Sequence, residues 1–226
     1  QTEYIVKKKL ISFEFDKSKI KNSNIKYKGS MILEPFELEL QIDFKKYYLH
    51  KLINPNSIFG ELIKSKLLFN EKLSTSISLD IASNLDREIF SSTELKFNIV
   101  NGKINFDKTR LFNDKIGFLE INNSFLFFEN DNFVLSSDIV INIKNSNNLF
   151  SFFQTPKKYR KPIKNIIVSF NYDLIKKQID IKGVKIDGIE GSNEMFDIMK
   201  EISYIENYNL NRSKRLFNKI FSAYAG

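Results

Sequence analysis

A strict alternation of apolar and polar residues is the main pattern in this chain, and it is clearest between residues 36 and 45. One set of alternating positions is apolar: Phe36, Leu38, Leu40, Ile42 and Phe44. The intervening set is polar or charged: Glu37, Glu39, Gln41, Asp43 and Lys45. Because a β-strand sends successive side chains to opposite faces, this pattern predicts a strand with one apolar face.

The same period of two recurs along most of the chain. It is seen at three further groups of apolar positions: Leu95, Phe97 and Ile99; Ile139, Ile141 and Ile143; Ile166, Val168 and Phe170. Asn101-Gly102 follows the first group and is typical of a tight hairpin turn. Gly183 interrupts the last strand and shifts its apolar phase to Val184 and Ile186. The pattern predicts a mostly β fold, a curved antiparallel sheet or groove of roughly ten strands.

The period changes after Gly188 and predicts a C-terminal α-helical hairpin. Ser192 is placed to cap a first helix, whose apolar residues fall at helical spacing. A second helix, from about Asn211, has an apolar side that contains Phe217 and Phe221 and a basic arc on the opposite side. That basic arc consists of Arg212, Arg215 and Lys219. The hairpin either caps the core of the sheet or lies on an anionic membrane surface. We predict a β-groove domain over residues 1–190 and a hairpin over residues 191–226.

Composition restricts the function classes. The chain of 226 residues is 42% hydrophobic and 27% charged, which is typical of a folded globular domain. It has no Cys, which excludes disulfides and thiolate chemistry. No apolar run reaches the roughly 20 residues that span a bilayer. The net charge of +8 favours anionic partners, although a solubilising surface has the same composition.

We find no pattern of residues that predicts catalysis. The sequence has a single histidine, His50, and no G-x-S-x-G motif that would supply a catalytic serine for it. One histidine also cannot form a His-rich metal site. Asp107, Asp138, Asp173 and Asp187 lie near predicted strand ends without the spacing of a glycosidase pair. The glycines are scattered and form no phosphate-binding loop. The sequence therefore predicts no enzyme, no cofactor and no metal.

The densest group of positive charges surrounds Tyr159 in a predicted loop between two prolines. It consists of Lys157, Lys158, Arg160 and Lys161. Such a loop fits an anionic head-group surface, a nucleic-acid backbone or plain exposure to solvent. We predict no nucleic-acid partner, because the aromatic residues concentrate on the apolar faces and not among the basic ones.

Two segments carry further motifs. One is the strand, glycine turn and strand from Ile99 to Leu111; the other is Leu149 to Phe153 followed by the basic loop and residues 165–173. Together they resemble the AsmA-like family of TamB-type and YhdP-type envelope proteins. The resemblance spans about Ile25 to Asp187. It implies a periplasmic β-groove that carries phospholipid acyl chains and acts with other envelope proteins. It also implies a C-terminal piece, tethered to the inner membrane by a segment that this chain lacks.

These observations lead to the hypothesis of a non-enzymatic, lipid-binding segment involved in outer-membrane biogenesis or lipid transport between membranes. The expected groove lining is Phe36, Leu38, Leu40, Ile42, Phe44, Ile139, Ile141, Ile143, Ile166, Val168 and Phe170. The expected contacts with an anionic surface are Lys157, Lys158, Arg160, Lys161, Arg212, Arg215 and Lys219. The alternative is a structural β-sandwich interaction module with a filled core and no ligand.

Overall fold

The computed structural model describes most of the chain. The described residues are 3–7, 9–20, 23–45, 65–82, 89–129, 132–176, 178–203 and 210–226. His50 lies outside them, and so does a short helix that the turn Asn54-Pro55-Asn56-Ser57 predicts.

Strands dominate the described residues. They are β1 (Glu3–Lys7), β2 (Leu10–Ile20), β3 (Ser23–Ile32), β4 (Phe36–Lys45), β5 (Leu73–Ala82), β6 (Ser92–Val100), β7 (Lys103–Asn105), β8 (Thr109–Asn113), β9 (Gly117–Glu129), β10 (Asn132–Ile143), β11 (Asn165–Asp173), β12 (Gln178–Ile186) and β13 (Ile189–Glu190). The described α-helices are α1 (Ser146–Phe153), α2 (Asn193–Ser203) and α3 (Leu210–Ala225). The predicted fold class, mostly β with a C-terminal pair of helices, is confirmed.

The chain divides into two compact units. Unit 1 comprises Gln1–Phe112 with Phe125–Phe127, and unit 2 comprises Asn113–Ser124 with Phe128–Gly226. The helical pair therefore belongs to the same unit as the strands β10 to β13. The domain boundary at residue 190 stays a prediction.

In unit 1 the strands β1 to β7 follow one another as hydrogen-bonded neighbours, and β8 pairs with β6. The described pairs are antiparallel except β4 and β5, which are parallel with Phe36 opposite Leu73 and Phe44 opposite Ile81. The sequence pattern had predicted an antiparallel arrangement here. A parallel pair needs a crossover connection of about a dozen residues or more, and residues 46–72 provide that length.

The turn between β6 and β7 has the predicted conformation. Asn101 and Gly102 have φ angles of 51° and 69°, and they join the paired residues Val100 and Lys103. Two consecutive positive φ angles match the right-handed twist of the strands, which explains the preference for Asn-Gly. The predicted hairpin is confirmed.

Unit 2 contains the antiparallel series β10, β11, β12 and β13. Ile141 lies opposite Ile166, which in turn lies opposite Ile186, so these apolar residues share one face. The register shifts beside the Ser169–Gly183 pair, after which Phe170 faces Ile181. This irregularity confirms the predicted change of phase at Gly183.

The three helices pack on that face. The buried cluster consists of Leu149 and Phe150 from α1, Met195, Ile198 and Met199 from α2, Leu216, Ile220 and Phe221 from α3, and Ile163, Ile166, Val184 and Ile186. Phe150 and Phe221 meet edge to face with ring centroids 5.4 Å apart. The main core of unit 2 is therefore a helix-covered sheet.

Local capping explains where two of these helices begin. The side chain of Asn145 accepts a hydrogen bond from the Asn148 backbone N–H and caps α1. The neighbouring Ser146 does not cap α1 and donates its hydroxyl to the carbonyl oxygen of Ile163. Ser192 accepts from the Met195 backbone N–H at 3.3 Å, as predicted for α2.

Candidate functional site

One face of the sheet in unit 1 is apolar across five adjacent strands. Partners in the register lie side by side on the same face, and apolar residues meet from β2 to β6. We define this apolar face by Ile11, Phe13, Phe15, Ile25, Tyr27, Met31, Phe36, Leu38, Leu40, Ile42, Phe44, Leu73, Ile77, Leu79, Ile81, Leu95, Phe97 and Ile99. It contains all five lining residues that were predicted on β4.

The register through Leu40 illustrates how the face is built. Leu40 lies between Gly29 of β3 and Ile77 of β5, and Gly29 lies beside Phe13 of β2. A methyl group on Gly29 would collide with the Phe13 ring and the Glu39 carbonyl oxygen. Gly29 is therefore a regular pairing position that makes room for an aromatic ring.

Burial of the apolar face is uneven. Phe97 and Ile99 on β6 are fully buried, and so are Ile104 of β7 and Leu126 of β9. The five lining residues of β4 are only half-buried, as are the aromatic rings on β2. Unit 1 thus has a closed core around β6 and β7 and a partly accessible apolar surface over β2 to β4.

No α-helix lies on this accessible part among the described residues of unit 1, whose described helical element is the short 3-10 turn Leu67–Phe69. Rings contact one another along the face: Phe15 stacks on Tyr27 with centroids 5.4 Å apart. Contiguous apolar patches of several hundred Å² are uncommon on soluble monomers and often mark binding surfaces.

The opposite face of unit 1 is polar and hydrogen-bonded. Ser76 donates to Asn98 Oδ1 at 2.9 Å, Asn98 Nδ2 donates to Asn105 Oδ1 at 3.1 Å, and Lys96 Nζ donates to Ser78 Oγ at 2.6 Å. A shallow hollow of about 280 Å³ on this side is lined mainly by polar residues such as Glu37 and Glu39. The sheet of unit 1 therefore has one apolar face and one polar face.

The predicted lining residues of unit 2 lie in a different environment. Ile166 is buried in the helix-covered core, and Ile141, Ile143 and Val168 pack against that core. Ile139 and Phe170 are half-buried farther along the same face, opposite Val168 and Ile181. Whether the stripes of the two units line one groove stays a prediction.

The basic loop of unit 2 contains an exposed 3-10 turn, Lys157–Tyr159, held against α3. Thr155 is buried and donates its hydroxyl to Asn218 Oδ1 at 2.7 Å, and Asn218 Nδ2 donates to the Phe153 carbonyl oxygen. Arg160 Nε donates to the Thr155 carbonyl oxygen at 2.9 Å. These contacts fix the loop, and neither Thr155 nor Asn218 was singled out by the sequence, because their pairing joins residues 63 positions apart.

Aromatic side chains lie beside the lysines of this loop. Lys158 Nζ is 4.6 Å from the ring centroid of Tyr159, and Lys161 Nζ is 4.4 Å from that of Tyr224. A hydrogen bond with Lys158, a second with Ser222 and the charge of Lys158 lower the pKa of Tyr159. Lys157, Lys158 and Lys161 are exposed to solvent, which leaves three positive charges available to an anionic surface.

The basic residues predicted on α3 differ from one another. Lys219 donates to both carboxylate oxygens of Glu201 on α2, at 2.8 and 3.0 Å, so it links the two helices. Arg215 is exposed, whereas the Arg212 side chain lies outside the described residues. Phe221 is buried and Phe217 packs against the core, which is the arrangement expected of a capping hairpin.

In the described part of the chain, no three His, Asp or Glu side chains come together as a group that could hold a metal ion. The helices described also include none that is both long and apolar enough to cross a membrane.

Comparison with protein-family models, curated proteins and solved structures gives no match to this chain. The resemblance to the AsmA-like family therefore stays a prediction based on the residues quoted above.

Proposed function

We propose that this chain is a non-enzymatic lipid-binding protein of AsmA-like type, whose unit 1 holds phospholipid acyl chains on its apolar face. The observation that supports the proposal is the apolar surface that runs in register over β2, β3 and β4, which is half-buried except at Ile25, where it is fully buried. The proposed setting is the periplasm, in outer-membrane biogenesis or lipid transport between membranes, together with other envelope proteins.

The dimensions of the surface suit an acyl chain. At about 3.3 Å per residue, the ten residues of β4 extend roughly 30 Å, about twice the depth of hydrocarbon in one bilayer leaflet. Each buried methylene group contributes about 0.8 kcal/mol, so even partial burial of a chain gives measurable affinity. The interaction requires only apolar contact, which agrees with a face that has aliphatic and aromatic side chains and no buried charge.

Contact with an anionic membrane surface is the second part of the proposal. Lys157, Lys158 and Lys161 are exposed on a loop whose backbone is fixed by Thr155 and Arg160. Each lysine close to an anionic surface adds about 1 kcal/mol, an effect that salt weakens. The net charge of +8 acts in the same direction.

The alternative, an interaction module with a filled core and no ligand, is supported by unit 2. There the equivalent apolar face is covered by α1, α2 and α3. If unit 1 is completed in a comparable way, it leaves no space for a lipid.

The experiment that tests the proposal is native mass spectrometry of the purified full chain, followed by lipid extraction. We expect phospholipid to co-purify with the chain, and we expect Leu40→Asp to abolish it, because a carboxylate on the apolar face is costly beside an acyl chain. Glu39→Asp is the matched control, since it places the same residue type on the same strand but on the polar face.

A second variant separates loss of lipid from loss of folding. Leu40→Ala removes apolar contact without introducing charge and should weaken lipid retention while circular dichroism shows an intact β fold. If the folded wild-type chain neither co-purifies with lipid nor takes it up from phospholipid vesicles, the filled-core alternative is correct.

A further inference from the structure

One stripe of α3 lies alongside the end of α1 and the basic loop that follows it. Lys214, Asn218 and Ser222 follow one another on α3 at intervals of four residues, so their side chains form a row along the helix. At about 1.5 Å per residue, this row is roughly 12 Å long.

The contacts along the row occur in the same order on both segments. At its start, Lys214 Nζ is 5.3 Å from the ring centroid of Phe152. In the middle is the hydrogen bond that Asn218 accepts from the loop. At its end, a hydrogen bond joins the side chains of Ser222 and Tyr159. The end of α1 and the basic loop are therefore attached to α3 along one line.

This attachment gathers four lysines beside α3. We define the basic strip by Lys157, Lys158, Lys161 and Lys214, of which the first three are exposed and the last is half-buried. Among the described residues, no carboxylate forms an ion pair with any of them. Their positive charges add together over a short distance, which favours an anionic partner.

Three of the four lysines lie over half-buried aromatic rings, those of Phe152, Tyr159 and Tyr224. Aromatic rings beside lysines are typical of the interfacial layer of a bilayer, where rings lie at the level of the head groups. Nucleic-acid binding instead uses the faces of such rings to stack bases, and here a lysine already occupies one face of each ring. The arrangement therefore favours a lipid surface.

We infer that the basic strip binds an anionic phospholipid bilayer, with its lysines at the phosphate groups and the three rings at the level of the head groups. The inference rests on the second part of the proposed function, contact with an anionic surface, and deepens it by assigning the residues that make this contact. It adds Lys214 to the predicted contacts, together with the rings of Phe152, Tyr159 and Tyr224. It leaves out Lys219, which links α2 and α3.

Flotation of the full chain with vesicles tests the inference at low salt. We expect the wild type to bind vesicles of phosphatidylcholine with phosphatidylglycerol, and not vesicles of phosphatidylcholine alone. Lys158→Gln and Lys214→Gln should each lower the partition coefficient about fivefold, the effect of one lysine near an anionic surface. Lys200→Gln is the matched control, because it removes the same charge from α2, outside the basic strip, and should leave binding unchanged.

Two further measurements separate loss of contact from loss of folding. Lys158→Arg and Lys214→Arg keep the positive charge and should bind like the wild type. Phe152→Ala should weaken the binding that persists at high salt, because salt does not screen apolar contact. Phe152 lies outside the buried cluster of unit 2, so circular dichroism should show an intact fold in this variant.

The outcomes distinguish this inference from the proposed function. If the wild type binds anionic vesicles but the glutamine variants of the basic strip bind as tightly as Lys200→Gln, the inference is wrong, and other residues contact the surface. Tighter binding to an oligonucleotide, dependent on the same lysines, would also overturn it. If the wild type ignores anionic vesicles, both the inference and the second part of the proposed function fail, whereas co-purified phospholipid would still support the acyl-chain site of unit 1.

Discussion

The two units use the same period-two pattern to opposite effect. In unit 1 the stripe Phe36 to Phe44 is half-buried, and no α-helix covers it in the part of the unit that the structure describes. In unit 2 the matching stripe from β10 to β12 lies under three helices, with Ile166, Val184 and Ile186 at most 3% exposed. An alternating pattern therefore predicts that a strand face is apolar and is shielded from water. It does not predict whether helices, another sheet or a ligand covers that face.

This contrast explains why the proposed lipid site is restricted to unit 1. The face in unit 2 already has apolar partners, and displacing α3 to admit a ligand would expose Leu216, Ile220 and Phe221. The face in unit 1 would gain contact if a ligand bound, and among the residues described there no α-helix would have to be displaced.

The largest expected effect comes from removing α3. A chain that ends after Asn209 loses Leu216, Ile220 and Phe221 from the core, and we expect unit 2 to lose its cooperative fold. Hydrogen exchange measured by mass spectrometry should show rapid exchange in β11 and β12, while the amides of β4 and β6 stay protected.

An intact, protected unit 2 in that truncated chain would contradict the capping role. It would instead support the alternative in which the second helix serves to contact an anionic membrane surface.

A smaller effect is expected from single aromatic truncations. Phe221 is 1% exposed and contacts the ring of Phe150, so Phe221→Ala should lower the free energy of unfolding by about 3–5 kcal/mol. Phe36→Ala, at a half-buried position of the apolar face, should cost only about 1 kcal/mol.

Urea unfolding, followed by signals assigned to each unit, checks this pair of variants. Equal losses of stability for the two variants would mean that the faces of both units are covered to the same extent in solution.

The smallest effect concerns the end of α3 and its pH dependence. Burial, and then the charge and hydrogen bond of Asp187, raise the pKa of Tyr224 above its ordinary value of 10.0. The folded state thus prefers the neutral phenol. Its contribution to stability is complete below pH 10 and is lost as the pH rises through the folded pKa.

We therefore expect the wild-type chain to lose more thermal stability above pH 10 than Tyr224→Phe does. Tyr159→Phe is the counterpart with the opposite sign. The pKa of Tyr159 is lowered, chiefly by its hydrogen bond with Lys158, so ionisation of Tyr159 favours the folded state. Melting temperatures of the three proteins between pH 8 and 11 distinguish these directions; identical pH profiles would exclude both.

Local sequence determined much of this fold. Alternation over residues 36–45 gives β4, Asn101-Gly102 gives the turn between β6 and β7, and Ser192 gives the start of α2. Each of these depends on backbone geometry and neighbours within a few residues, and such information is present in any short stretch of sequence.

The site was only partly predictable for the same reason. The common face of the β4 residues could be predicted because their period of two fixes it, and their role in lining a lipid groove stays a prediction. The position of Ile141 and Ile166 beneath helices could not be predicted from the sequence. It depends on contacts with α2 and α3, which lie tens of residues away along the chain. Lys219 pairs with Glu201 on another helix, a contact that the sequence did not predict, and its contact with an anionic surface stays a prediction.

The sequence by itself determined the strands, the turns, the apolar faces and the amphipathic C-terminal helices, because hydrophobic period and turn chemistry are local. Only the tertiary structure decided that β4 and β5 run parallel, that Gly29 makes room for the ring of Phe13, and that the helices fill the face of unit 2. These features depend on which distant surfaces meet, and the free energy of burying apolar area is indifferent to separation along the chain.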